Sequence, residues 1–251
     1  MAVAVVGIIV PVALIMRRQP EDLGLLPDGA RRSDEPGSAD DKARAALISD
    51  DRQTYTRGQA IKTASFWLVT LGYGLNAAAL GSVLLHSIPY ATSLGFARSL
   101  AAGGMGINGL GNLMSKAVWG WGLQRFDARR LAGMAFITSA LGVLLLLVSG
   151  TMGSTLVLMI GFFLYGFGFG GTIPISEFLW ARYFGRRHIA AIRSVGRPIN
   201  IVFATGGPIA AGAWFDISGS YFWAFLILAG VYVVGAGVIN VSNDPPALNP
   251  S

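Results

Sequence analysis

The chain has 251 residues, of which 53% are apolar and only 13% are charged, whereas soluble domains carry about 25% charged residues. This composition and a mean hydropathy of +0.57 exclude a large soluble core and indicate a membrane protein. The absence of cysteine excludes disulfides, thiolate metal sites and cysteine nucleophiles. The net charge of +6 raises nucleic-acid binding as a possibility, which the positions of the charges decide.

Residues 1–16 are predicted to be the end of a transmembrane helix, because they are apolar from Ala2 to Met16 and a basic pair follows. A signal peptide is the alternative interpretation. Such a peptide carries positive charge before its apolar segment, whereas the pair Arg17 and Arg18 comes after it. The helix end is therefore the favoured interpretation.

Residues 17–64 are predicted to form a cytoplasmic central loop that is partly disordered. They hold nine acidic and nine basic residues, more than half of the chain's charge, and such segments do not bury enough apolar surface to fold alone. Thr56 and Gln59 have the spacing of a capping box, which predicts a short interfacial helix near 56–65. An unstructured linker throughout is the alternative.

Six further apolar segments have about the 20 residues that a helix needs to cross a bilayer. They predict an all-α integral membrane protein with a six-helix bundle over residues 65–241 and a tail at 242–251. The segments lie at roughly 66–88, 99–121, 132–150, 155–180, 190–213 and 221–241.

Basic residues concentrate in alternate connections between these segments. Nine lie in 17–64 and three each in 122–131 and 181–189, whereas the other connections hold only Arg98. Basic residues favour the cytoplasmic side, so the three rich connections and the C-terminus are predicted to be cytoplasmic. The positive charge thus follows the topology, which argues against nucleic acid as a partner.

The 99–121 segment carries Asn108, Asn112 and Lys116 at four-residue intervals, which places them on one helical face. A lysine facing lipid near the bilayer centre costs roughly 2.5–3.5 kcal/mol. We therefore expect this face to meet an aqueous cavity, where the three residues are predicted to bind substrate. Snorkelling of the lysine to the interface is the alternative.

The 190–213 segment places Arg193, Arg197 and Asn200 on one face, and Pro198 and Pro208 interrupt its backbone. Interrupted helices are where transporters place binding groups. Arg197 and Asn200 are therefore predicted to bind substrate. The alternative is that both arginines are interfacial anchors.

Three more side chains are candidate site residues. Tyr165 opens a glycine-rich segment and is a predicted substrate contact. Glu177 is the only acid within a span, so it is predicted either to carry protons or to pair with Arg182. His86 is a second candidate for proton coupling, with a hydrated interfacial histidine as the alternative.

Six stretches of the chain resemble, in order, the oxalate:formate-antiporter-like and monocarboxylate-transporter-like members of the major facilitator superfamily. They are RQPEDLGLLPDG at 18–29, AIKTASFW at 60–67, HSIPYATSLGF at 86–96, WGWGLQRFDARR at 119–130, FGRRHIAAIR at 184–193 and DISGSY at 216–221. The resemblance implies the C-terminal half of such a transporter, moving a monocarboxylate or dicarboxylate by alternating access as an antiporter or symporter. The short connections and the absence of cysteine favour a bacterial inner membrane.

The resemblance also implies individual roles. An arginine that contacts the substrate carboxylate in this family aligns with Lys116, four residues before Gly120, so the charge is kept while the bidentate guanidinium is lost. The loop between the second and third spans of the bundle resembles the family's gating motif. Its residues here are Gly122, Arg125, Asp127, Arg129 and Arg130.

One half of this fold supplies half of a central site, so the expected partners are the bilayer, the anion and an N-terminal six-helix half or a second copy. A truncated or non-transporting subunit that needs a partner half is the alternative function. An enzyme is not expected, because no nucleophile or base has a partner in reach. No cofactor or metal site is predicted.

Overall fold

A computed structural model describes residues 54–246, and every regular element in that range is an α-helix. Predictions for residues 1–16, for 17–53 and for the end of the tail lie outside the described residues. The helices are α1 Arg57–Ala60, α2 Ala64–Ser93, α3 Arg98–Leu123, α4 Ala128–Met152, α5 Thr155–Phe184, α6 Ile189–Ser218 and α7 Phe222–Val241.

Each predicted span lies inside one of the six long helices, apart from residue 221 just before α7, and the helices extend up to five residues beyond the predicted ends. This agreement confirms the all-α membrane fold. Five of these helices are long and apolar enough to cross a membrane, and the chain is therefore a multi-pass membrane protein. Helix α3 has 26 residues but is not among the five, because its glycines, its asparagines and Lys116 lower its hydropathy.

Side-chain caps fix several helix starts. Thr56 Oγ1 accepts a hydrogen bond from the Gln59 backbone N–H, and Gln59 Oε1 accepts one from the Thr56 N–H at 2.9 Å. This capping box begins α1, which ends at Ala60. Thr63 then caps α2 by accepting from the Phe66 N–H at 3.2 Å. The short helix is thus confined to one turn, because a second cap follows immediately.

The bundle is built from pairs of long helices. Helix α5 packs between α3 and α4, and α2 packs between α6 and α7, while α4 and α7 join the two groups. The interior holds large fully buried side chains such as Phe136, Phe162, Phe225 and Tyr232. Since lipid is as apolar as these side chains, close packing rather than water exclusion holds the helices together.

The α3–α5 crossing is close because glycine stands at the contact. A Cβ atom on Gly166 would lie 2.0 Å from the Asn108 carbonyl oxygen, and one on Gly111 would lie 2.3 Å from the Phe163 carbonyl oxygen. Backbones that approach this closely leave no room for a side chain. The rotation of α3 against α5 is therefore set by these positions.

Helix α6 is the least covered of the spans. Only 6% of its apolar stretch is buried, against 44–61% in the other four candidate spans. The uncovered side carries Ile201, Val202 and Ile209, and α3 has a comparable uncovered side with Leu113 and Met114.

Candidate functional site

A cavity of about 200 Å³ opens between α2, α5 and α6. Helix α2 runs alongside α6 on one wall, and α5 supplies the other. Polar and aromatic side chains line most of it: Tyr73, Asn76, Thr172, Ser176, Glu177, Trp180, Arg193, Arg197 and Asn200.

Helix α6 contributes both cations of the cavity. Arg193, Arg197 and Asn200 share one helical face, as their spacing predicts, and all three line the cavity. Arg197 is the ninth residue of α6, so it lies roughly 12 Å from the first residue at 1.5 Å per residue. At this depth Arg197 lies within the span, away from the basic connection at residues 181–189.

Glu177 forms an ion pair with Arg193, which reaches it from α6. The predicted alternative, a pair between Glu177 and Arg182, is wrong. Arg182 instead contacts Asp127 at 3.0 Å and Asp244 at 3.5 Å. Five residues on a helix turn through about 140° relative to one another at 3.6 residues per turn, so Arg182 points away from the cavity that Glu177 faces.

Arg197 has no ion-pair or hydrogen-bond partner among residues 54–246. Two arginines against one glutamate give the cavity wall a surplus of one positive charge. A charge inside a membrane span is costly unless it is paired or hydrated. The arrangement is therefore suited to an anionic occupant.

Two buried amide oxygens in the cavity wall lack a hydrogen-bond partner among the described residues. They are Oδ1 of Asn76, which is 5% exposed, and Oδ1 of Asn200. Buried polar groups in proteins are nearly always partnered. These amides make the cavity polar despite its position among apolar helices.

Helix α2 and most of the lining from α5 were not predicted from the sequence. Tyr73 and Asn76 lie three residues apart, and Thr172, Ser176 and Trp180 recur at four-residue intervals, so each set shares a helical face. That periodicity is the signal available in the sequence. It was not decisive, because Tyr, Ser and Thr also occur on packed faces.

The polar face of α3 does not line this cavity. Asn108 is buried and its Nδ2 donates to the Phe162 carbonyl at 3.3 Å, while Lys116 Nζ donates to the Gly170 carbonyl at 3.0 Å. Asn112 is half-buried beside them. The structure therefore places Asn108 inside the α3–α5 crossing and the exposed Lys116 at its edge, bonded to α5.

Tyr165 lies in the packed interior. It is 1% exposed, and its hydroxyl lies 3.3 Å from the Leu80 carbonyl oxygen and 3.2 Å from the Tyr232 hydroxyl. The structure does not bring it to the cavity.

His86 joins three helices outside the cavity. It is half-buried, with Nδ1 3.3 Å from the Tyr221 hydroxyl and Nε2 3.1 Å from the Pro208 carbonyl oxygen. With Nε2 protonated, the ring donates to the carbonyl and accepts from the tyrosine. Both ring nitrogens are thus engaged within the protein.

The predicted gating loop is tied to the end of α5 and to the tail. Asp127 caps α4 by accepting from the Arg129 N–H at 3.0 Å, and it pairs with Arg182. Arg129 Nη1 donates to the Ser242 carbonyl at 2.7 Å and to Asn243 Oδ1 at 2.9 Å. These contacts connect the loop, α5 and the residues after α7.

Two of the other motif residues, Gly122 and Arg125, lie at or just after the end of α3, and Arg130 lies in the first turn of α4. The Arg125 guanidinium lies 5.0 Å from the centre of the Trp121 ring, a cation–π distance. Gly122 is buried, and a Cβ atom there would lie 3.1 Å from Leu131 Cδ2, whereas Arg130 is exposed.

Within residues 54–246, no three His, Asp or Glu side chains are grouped as a metal site would require.

Comparison with known proteins matches the chain to the Major Facilitator Superfamily model over residues 1–196 and, in a second match, 65–250. Two curated relatives are each named "Multidrug resistance protein B homolog", from Mycobacterium tuberculosis strains CDC 1551 / Oshkosh and ATCC 25618 / H37Rv. Each is 33% identical over 115 residues, which is 45% of this chain and 20% of the relative's length. The family match covers well over half of the sequence and agrees with the helical architecture: the chain belongs to the major facilitator superfamily, a family of membrane transporters.

Proposed function

We propose that this chain takes part in secondary active transport of a small organic anion, a monocarboxylate or dicarboxylate, by alternating access. The observation that carries the proposal is the Arg197 guanidinium, which lines a cavity within a span and has no partner among the described residues. Arg193 does not compete for the anion, because Glu177 already neutralises it.

The chemistry of Arg197 favours a carboxylate. Its planar guanidinium offers parallel N–H donors that match the two carboxylate oxygens. Charged groups in a region of low dielectric constant also attract each other more strongly than in water. An anion that occupies the cavity would therefore offset the cost of holding Arg197 unpaired.

Glu177 is proposed to couple transport to protons. Protonation of Glu177 removes the negative charge that holds Arg193 and leaves a second cation beside Arg197. Anion binding and proton uptake then favour each other, since each reduces the net charge that the other creates. His86 is a weaker candidate for this role, because it lies outside the cavity with both ring nitrogens engaged.

The uncovered sides of α3 and α6 are proposed to pack against a second six-helix half, whether part of a longer chain, a separate polypeptide or another copy. Residues 65–241 would then be the C-terminal bundle, with residues 1–16 ending a sixth helix and residues 17–64 and 242–251 in the cytoplasm. The distribution of basic residues supports this orientation, and a bacterial inner membrane is the proposed location.

The test is anion binding to the full chain reconstituted in lipid vesicles. We expect radiolabelled oxalate, lactate or succinate to bind, and an excess of the others to compete. Arg197→Gln should weaken binding at least tenfold, because a charged hydrogen bond contributes about 1.5–3 kcal/mol. Arg197→Lys should retain part of the affinity, since it keeps the charge.

Arg98→Gln is the matched control, because Arg98 is exposed at the start of α3, away from the cavity. It should bind as the unchanged chain does. Tetraphenylphosphonium, a lipophilic cation, is the counter-probe suggested by the relatives' name. Binding of this cation without binding of any carboxylate, or undiminished carboxylate binding by Arg197→Gln, would refute the proposal.

A further inference from the structure

Helix α5 contains a proline at position 174. Proline has no backbone N–H, and in an α-helix that group would donate to the carbonyl four residues earlier. The Gly170 carbonyl therefore lacks its usual intrahelical donor. At membrane depth no bulk water replaces such a bond, so the carbonyl needs a donor from the protein.

Lys116 on α3 supplies that donor. Its Nζ atom lies 3.0 Å from the Gly170 carbonyl oxygen, and no carboxylate or other hydrogen-bond partner of Lys116 lies in the described part of the chain. The ammonium thus bonds to the one carbonyl of α5 that Pro174 deprives of its donor.

The local packing makes the bond possible. A Cβ atom on Gly170 would lie 2.0 Å from Ser115 Oγ and 2.7 Å from the Asn112 carbonyl oxygen. Only glycine permits this approach, which brings the backbone of α5 within reach of the lysine. The glycine, the proline and the lysine therefore act together at one point of the crossing.

We propose that Lys116 is a positioning residue for the cavity: it replaces the hydrogen bond that Pro174 removes and holds the following part of α5 against α3. That part carries Ser176, Glu177 and Trp180, which line the cavity. Lys116 then acts on the anion through α5 and does not touch it. Only the expected effect of Lys116 on anion binding rests on the proposed function.

A substitution cycle separates this role from direct contact with the anion. Lys116→Met removes the donor and keeps the length of the side chain, whereas Pro174→Ala restores a backbone N–H to the Gly170 carbonyl. If Lys116 serves that carbonyl, its loss should matter in the unchanged background and not in the Pro174→Ala background.

Hydrogen–deuterium exchange of the full chain in lipid is the first measurement. Lys116→Met should speed exchange of the amides that follow Pro174 about tenfold or more. The Lys116→Met, Pro174→Ala double variant should exchange as Pro174→Ala alone does. Lys116→Arg should behave as the unchanged chain, because a guanidinium also donates. Lys62→Met, on an exposed lysine before α2, is the matched control and should have no effect.

Radiolabelled oxalate binding is the second measurement. Lys116→Met should weaken it, and Pro174→Ala should rescue it. Equal weakening in both backgrounds would mean that the lysine contacts the anion, and unchanged exchange in Lys116→Met would mean that it does not hold α5. Either result overturns the proposal. If the unchanged chain binds none of the carboxylates, the proposed function fails, and the exchange cycle still decides the role of Lys116.

Discussion

Arg193 on α6 forms an ion pair with Glu177 on α5, which joins the two walls of the cavity. Both side chains are partly exposed, at 21% and 52%. The pair leaves Arg197, one turn further along α6, as the cation available to an anion. This division of roles between two arginines on one face leads to the first prediction.

Glu177→Gln should strengthen oxalate binding several-fold at neutral pH, because it adds a second unpaired cation without changing the shape of the wall. Oxalate titrations of the unchanged chain and of Glu177→Gln at one neutral pH test this prediction. His86→Gln is the control and should bind as the unchanged chain does, because His86 lies outside the cavity. Weaker binding by Glu177→Gln would contradict the charge argument.

Asn76→Leu should weaken anion binding while leaving the protein as stable as before or more stable. The asparagine is buried with its Oδ1 unpartnered, and removing such a group relieves a desolvation cost of about 1–3 kcal/mol. Thermal unfolding and oxalate binding, measured on the same preparation, show whether stability is kept or raised while the affinity falls. A fall in both stability and binding would indicate a packing role instead.

Gly166→Ala should disrupt the α3–α5 crossing, because its Cβ would lie 2.0 Å from the Asn108 carbonyl oxygen. Overpacking of this kind costs about 1–3 kcal/mol and should lower the midpoint of thermal unfolding. Gly103→Ala is the matched control on α3, where a Cβ meets nothing within 4 Å. It should be neutral or stabilising, since alanine favours helix. Equal midpoints for the two variants would argue against the close crossing.

Asp127→Ala should destabilise the connection before α4, because Asp127 both caps that helix and pairs with Arg182. The cap contributes about 1 kcal/mol, and a partly exposed ion pair adds 0–1 kcal/mol. Denaturant unfolding of Asp127→Ala, Arg182→Ala and the double variant measures their coupling. Asp216→Ala, at an exposed position in the last turn of α6, is the control. Fully additive effects would show that the pair contributes nothing.

The spacing of polar residues in α6 predicted which side chains share a helical face. Arg193, Arg197 and Asn200 share a face because the helical period is fixed, and the structure places that face on the cavity. The same reasoning placed Asn108, Asn112 and Lys116 together on α3. It did not show which helix those residues contact. In the structure Asn108 and Lys116 donate to carbonyl groups of α5.

Hydropathy and charge by themselves determined the membrane character, the six long helices and the segments that connect them, because the thickness of a bilayer and the period of a helix are fixed quantities. Only the tertiary structure decided that Glu177 pairs with Arg193, that Asn76 lines the cavity and that Lys116 bonds to Gly170. Those relationships depend on the rotation of each helix about its own axis. That rotation is set by contacts between helices distant in sequence, above all at glycines such as Gly166 and Gly170.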